Sequence, residues 1–288
     1  MSAHKSATDP LSASSLTGPA LIHDIDTCTV PPGQCAFWWL GQHSFVVKLG
    51  NTVIYLDPYL SPDASRRVPP LLRPQEVTNA TAIFGTHDHG DHIDRPIWPA
   101  LAAASPQAVF VVPELLRASL IRDLALPRER VIGVDPRFPA VAAGIQIAAV
   151  PAAHELLDPD PATGLYPCLG YILTIDGFTI YHAGDTCIYE GMQALLRQWR
   201  IDLAFLPING RDAQRLAANC IGNMTYQEAV DLAGALRPGM VVPTHFEMFA
   251  SNSENPQLFA DYLHVKYPGL RCLIPVHGQR TIVASDKQ

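Results

Sequence analysis

Ala82-Ile83-Phe84-Gly85-Thr86-His87-Asp88-His89-Gly90-Asp91-His92 is the stretch on which the reading of this chain turns. Ala82 to Gly85 reads as the end of a short buried strand. The seven residues that follow hold three imidazoles and two carboxylates. Neutral imidazole nitrogen and carboxylate oxygen are the donors that divalent zinc, manganese or iron accept. A loop leaving a sheet edge can hold such donors on a rigid scaffold and present them to solvent. The density points to a site for two metal ions; a solvated polar turn, the plainer alternative, has no use for three histidines.

Working outward, Phe37-Trp38-Trp39-Leu40, Ser44 to Leu49 and Thr52 to Leu56 are short apolar runs separated by Gly41 and Gly50-Asn51, the spacing of hairpin-linked strands. The aromatic residues at 37–39 are expected in the core. Proline-rich sequence from Pro58 to Pro74 predicts a long surface excursion of the kind that contacts substrates. Beyond residue 82 strands and helices alternate. Val109 to Val112 runs into the helix-start pair Pro113-Glu114. Ile145 to Val150 is a further strand, and Tyr171 to Ile175 and Phe178 to Tyr181 flank the hairpin pair Asp176-Gly177. Thr225-Tyr226-Gln227-Glu228 is a capping box that opens a helix through Leu236, and Met240 to Val242 is another strand. Two strand-rich halves with helices outside predict an α/β fold, a four-layer αββα sandwich. It forms a single domain over residues 34–288 behind a flexible lead-in over 1–33.

With 288 residues, 48% hydrophobic and 16% charged, the chain is a folded protein with a sizeable core. Its net charge of −7 argues against a nucleic-acid partner, which would want a basic face. It leaves room for a small anionic or phosphorylated substrate, because bound cations reverse the local field. Six cysteines without a Cys-x-x-Cys pair read as free thiols of a reducing compartment. No apolar run has the length of a membrane span, and the Ser-, Ala- and Pro-rich first residues lack a hydrophobic signal core. A cytoplasmic protein without a membrane partner is expected, and a homo-oligomer is compatible with all of this.

Three further segments place a donor at or just beyond an expected strand: His154 in Val150-Pro151-Ala152-Ala153-His154, Asp185 in Tyr181-His182-Ala183-Gly184-Asp185-Thr186, and His245 in Val242-Pro243-Thr244-His245-Phe246. Each alone reads as readily as a loop residue with one hydrogen bond. In that order after His87-x-His89-x-Asp91-His92, they resemble the five-motif signature of the metallo-β-lactamase superfamily over about residues 36 to 284. The resemblance implies that His87, His89 and His154 hold one ion, that Asp91, His92 and His245 hold another, and that Asp185 bridges them. Asp57, in Leu56-Asp57-Pro58-Tyr59, matches an aspartate that orients a ligand histidine from behind. His182, three residues before Asp185, reads as a second such support or as an ordinary strand-end histidine.

Leu40-Gly41-Gln42-His43-Ser44, Leu56 to Ser61, Pro207-Ile208-Asn209-Gly210-Arg211-Asp212, Gly222 to Thr225 and Pro243 to Phe246 are similar to segments of the L-ascorbate-6-phosphate lactonase-like group. That similarity implies a dinuclear hydrolase, with zinc or manganese and with iron also suitable. It would open a small lactone, such as a sugar-phosphate lactone, by attack of a hydroxide that bridges the metals. Asp91 is then both ligand and catalytic proton acceptor. A phosphodiesterase or phospholipase-type hydrolase of the same superfamily is the alternative, and a metal-binding protein without turnover is a third. For substrate contact, Arg211 reads equally as an anion clamp or as a structural arginine paired with Asp212, and Asn209 and His43 are candidates beside it. His277, in Pro275-Val276-His277-Gly278, is a competing ligand candidate, but the interval and context favour His245.

Overall fold

The structure, a computed structural model, describes residues 15–286. Six strands form most of a first sheet: β1 (Gln34–Gly41), β2 (Ser44–Leu49), β3 (Thr52–Leu56), β4 (Ala82–Phe84), β5 (Val109–Pro113) and β6 (Val131–Val134). Six more form a second: β7 (Ala140–Ala142), β8 (Ile145–Pro151), β9 (Leu169–Ile175), β10 (Phe178–His182), β11 (Leu203–Pro207) and β12 (Met240–Thr244). A last strand, β13 (Arg280–Ala284), returns to the first sheet and pairs antiparallel with β1. Both sheets are mixed. β3 to β6 run parallel in one and β10 to β12 in the other, with antiparallel hairpins completing each.

Alternation along β1 shows why the sheets are buried on both faces. Phe37 and Trp39 point between the sheets, where Phe37 meets Phe205 of β11 edge-on at 5.4 Å and Phe45 stacks on the same ring at 4.1 Å. Ala36, Trp38 and Leu40 point the other way, into a layer with α1 (Gly18–Thr27), α2 (Trp98–Ala104) and α3 (Glu114–Leu124). The outer face of the second sheet is covered by α4 (Met192–Leu196), α6 (Tyr226–Leu236) and α7 (Pro256–Lys266), while the short α5 (Ala213–Ala217) follows β11. The four-layer αββα expectation holds.

Local expectations hold where the chemistry is local. Asp176 and Gly177 both take positive φ (+47° and +82°), the two-residue turn that matches strand twist. Thr225 accepts from the Glu228 amide and Glu228 accepts from the Thr225 amide, closing the capping box. All six cysteines are free. No helix among the described residues is long and apolar enough to cross a membrane.

Two expectations need correction. The flexible lead-in over 1–33 is, from residue 18, helix α1, with Leu21 and Ile25 buried; residues 1–14 lie outside the described chain. Tertiary bonds hold it: Lys48 Nζ donates to the Ile25 and Asp26 carbonyls at its C-terminal end, and Trp38 Nε1 donates to Asp24. The 58–74 excursion is only partly on the surface. Its 62–65 stretch is exposed, whereas Leu60, Leu71 and Leu72 return to the core beneath the first sheet.

Candidate metal centre

Because β3 and β4 run parallel, as do β10, β11 and β12, the loops after these strands gather along one edge of the sandwich. The β4 exit carries Thr86 to His92, the β8 exit His154, the β10 exit Asp185, and the β12 exit His245. Bonds between the sheets hold the first of these loops. Tyr171 Oη donates to the Gly85 carbonyl (2.7 Å), and the Leu169 amide donates to the Thr86 carbonyl (3.1 Å). Gly184, with φ +63°, lies where a Cβ would stand 2.6 Å from the Leu169 carbonyl oxygen, so Asp185 can be brought in only past a glycine.

Two triads result. His87 Nε2 and His154 Nε2 each lie 3.1 Å from His89 Nδ1. Donor atoms of Asp91, His92 and His245 form a second group within 4.8 Å of one another. Asp185 stands between the triads: it groups with His87 and His92, and its two oxygens lie 3.2 Å from His92 Nε2 and from His245 Nε2. Three imidazole nitrogens converging at 3.1 Å cannot all be satisfied by shared protons, since each proton serves one pair. His92 Nε2 and Asp185 Oδ1 are buried, and they face each other at 3.2 Å without hydrogen-bond geometry. Converging lone pairs and orphaned buried atoms are what divalent cations would satisfy, so the donor set fits the metals implied by its composition.

Charge supports the same division. Burial, followed by the neighbouring His92, holds His87 well below its usual pKa, and burial lowers His154; both are neutral imidazoles with lone pairs to give. Burial also opposes charge on His92 and His245, but Asp185 and Asp91 overcome it, raising His92 strongly and pushing His245 up to about 9. Desolvation would raise Asp91 and Asp185. Instead His92 chiefly lowers the first and His245 chiefly lowers the second, with the other histidine of the pair adding to each. The two carboxylates thus favour positive charge on this edge, whether carried by protons or by cations.

Support lies directly behind. Asp57 Oδ2 is 2.7 Å from His92 Nδ1 and 3.0 Å from His182 Nε2, and it accepts from Thr86 Oγ1 at 2.8 Å; its Oδ1 accepts from the Thr86 amide at 2.8 Å. A carboxylate on the far nitrogen fixes the ring and its tautomer, leaving Nε2 of His92 to face the centre. Asp57, His245 and Gln42 all have positive φ (+43°, +58° and +53°), a strained conformation for non-glycine residues that tends to cluster at functional sites.

A beta-lactamase superfamily domain model matches residues 52–246. A UPF0173 metal-dependent hydrolase of Nitratidesulfovibrio vulgaris is 31% identical over 251 residues, 85% of this chain and 94% of the relative. Another, TK0141 of Thermococcus kodakarensis, is 34% identical over 222 residues, 77% and 88% of the two chains. The chain is a metal-dependent hydrolase of the metallo-β-lactamase superfamily. Its fold is also similar to that of Igni18, a metallo hydrolase from Ignicoccus hospitalis. The TM-score is 0.67 at 23% identity, with 86% of this chain and 98% of that one covered.

In this hydrolase all seven expected ligands come together, with Asp57 and His182 behind them. Two of the three expected substrate contacts, His43 and Asn209, do not come to the surface of the site. His43 is fully buried, stacked on His182 at 4.1 Å with Nδ1 2.6 Å from Thr244 Oγ1. Asn209 is also buried, in an amide ladder with Asn223 and Asn252. Arg211 is exposed and pairs in bidentate fashion with Glu228 (2.7 Å twice), not with Asp212. His277 belongs to neither triad; it stacks on Trp39 at 4.1 Å, and its Nε2 lies 3.0 Å from Glu247.

Gln42 is the residue that sequence reasoning passed over. Its Nε2 donates to Asp91 Oδ2 (2.8 Å) and lies 3.0 Å from His245 Nε2, while its Oε1 is buried without a hydrogen bond. The signal was present: a long amide in a tight turn between two apolar strands, where a small polar residue would serve.

Proposed function

We propose that the hydrolase binds two divalent ions, one at His87, His89 and His154 and one at Asp91, His92 and His245, with Asp185 shared. We further propose that it hydrolyses a small lactone or related carboxylic ester. The observation that carries this reading is the 3.1 Å convergence of three imidazole nitrogens beside a second His–carboxylate triad, with a carboxylate between the two. Zinc, manganese and iron(II) all suit such donors. Bound there, a metal pair supplies Lewis acidity and a water of lowered pKa.

The chain's own residues do the rest. Asp91 keeps about a fifth of its side chain exposed, on the wall of a cleft of about 750 Å³. A carboxylate at that position accepts the proton of an attacking water and returns it to the leaving alkoxide. Gln42 fixes its Oδ2, and Asp57 with Thr86 holds His92 in register. Ligands drawn from both sheets support treating residues 34–288 as one catalytic unit.

The test is turnover of the zinc- or manganese-loaded protein on a lactone panel, on aryl esters and on bis-p-nitrophenyl phosphate. Ester or lactone turnover that falls by about 100-fold or more in Asp91→Asn, with the thermal midpoint retained, is expected. Phosphodiester turnover alone, or an Asp91→Asn variant with full activity, overturns the proposal.

A further inference from the structure

We infer that the substrate meets this protein as an electrically neutral molecule with an apolar body seated against Tyr59 and Phe249, and not as a sugar phosphate. The inference rests on the hydrolase reading above and adds the class of ligand that the cleft accepts.

The cleft over Asp91 is walled by the exposed part of the 58–74 segment on one side and by residues 249–252 on the other. Buried Tyr59 and half-buried Phe249 pack with ring centroids 6.3 Å apart and planes tilted by 40°, with Pro62 and Pro96 nearby, and together they give the cleft its aromatic wall. Among the described residues, every charged side chain on this wall is a carboxylate, namely Asp63, Asp91 and Asp94, and no lysine or arginine lines it. Asp94 is occupied: its oxygens accept from the Leu60 and Ser61 amides and from Ser61 Oγ, which shapes the loop.

A phosphate leaving water needs charge-assisted hydrogen bonds to replace those it loses, usually from arginine. Four arginines near this edge are engaged by other groups, and Arg67, exposed on the same segment, is not among the residues that line the cleft. Arg66 lies under Tyr59, 4.3 Å from the ring, and donates to the carbonyls of Tyr59, Ser61 and Val68; its remaining Nη2 is sealed from solvent. Arg211 is spent on Glu228, and Arg215 on the Asn209 and Ser253 carbonyls. Arg95 forms a bidentate pair with Asp88. Asp91 is the only member of either triad on the cleft wall, so cations held at the triads would touch only the reacting end of a ligand. A phosphorylated tail would meet the exposed Asp63 carboxylate and the Phe249 ring, whereas an apolar body buries its surface there at no charge penalty.

The test is calorimetric titration of the metal-loaded full chain with two probes. One is a phenyl-substituted cyclopentanone, the uncleavable carbocycle of a lactone; the other is the same ketone bearing a phosphate on the ring. The neutral probe is expected to bind at least 10-fold more tightly. Phe249→Ala should weaken it at least 5-fold with metal content unchanged, and Ala250→Lys, at an exposed position, should improve binding of the phosphorylated probe. Equal or tighter binding of the phosphorylated probe, no binding of either, or indifference to Phe249→Ala each overturns the inference. If the neutral probe binds as expected while no ester or lactone is turned over, the hydrolytic assignment falls and the cleft assignment stands.

Discussion

Gln42 connects the two charged partners of the second triad, and this makes it testable apart from catalysis. Its amide donates to Asp91 Oδ2 beside His245 Nε2, so truncation removes a support from Asp91 and leaves the three-histidine triad intact. Loss of such an outer partner usually costs about 10–100-fold in metal affinity. Gln42→Ala is therefore expected to bind its first zinc normally and its second about 10-fold or more weakly in a chelator competition. Equal weakening of both ions, or of neither, would contradict that placement. Protons give a second test. His245 is raised to about 9, so below that pH the metal-free centre carries a proton that metal binding must expel. Apparent affinity should fall as pH drops from 9 towards 6, and titration near pH 7 in buffers of different ionisation enthalpy should show proton release. Affinity independent of pH across that range would refute the shared-proton account. His87 and His154, already neutral, add nothing to this dependence.

At the scale of elements, helix α1 shows where sequence patterning stops. Only Leu21 and Ile25 mark its buried face, four residues apart, inside a Ser-, Ala- and Pro-rich segment. Three large apolar residues, Leu21, Ile22 and Ile25, are too few for a helical period to stand out. What orders the helix is tertiary: the Lys48 ammonium on its last carbonyls and the Trp38 indole on Asp24, reached from β2 and β1. The hairpin at Asp176-Gly177 and the capping box at Thr225 could be read beforehand because their bonds close within four residues. If α1 is part of the folded body, Leu21→Ala opens a cavity under the first sheet and should cost about 2–4 kcal/mol in urea unfolding. A cost within about 0.5 kcal/mol would mean that the helix is only loosely attached. Arg211 teaches the same lesson in reverse, since its partner Glu228 lies 17 residues on, in the first turn of α6. A clamp and a strut look alike in sequence until the distant carboxylate is placed.

For the molecule as a whole, the centre is also a seam. His87, His89, Asp91 and His92 leave the first sheet, while His154, Asp185 and His245 leave the second, so cations bound there tie the two halves together. That convergence was legible because one loop supplies four donors together, and each of the other three is a single residue just beyond a strand. Without cations, two carboxylates and four buried or part-buried imidazoles share one edge, held by protons that are lost as pH rises through the raised His245 value. Anything that binds only the folded chain stabilises it by mass action, about 4 kcal/mol at a thousand times the dissociation constant. For a chain of this size each kcal/mol moves the midpoint by roughly 2–4 °C. Removal of metal by a chelator should therefore lower the thermal midpoint by about 10 °C at pH 7.5, and re-addition of zinc or manganese should restore it. At pH 9.5 the metal-free protein should fall further, because the histidine protons that stand in for the cations have left. A midpoint unchanged by verified metal loss at both pH values would show that the seam holds by packing alone, and that the ligands contribute to chemistry without contributing to the fold.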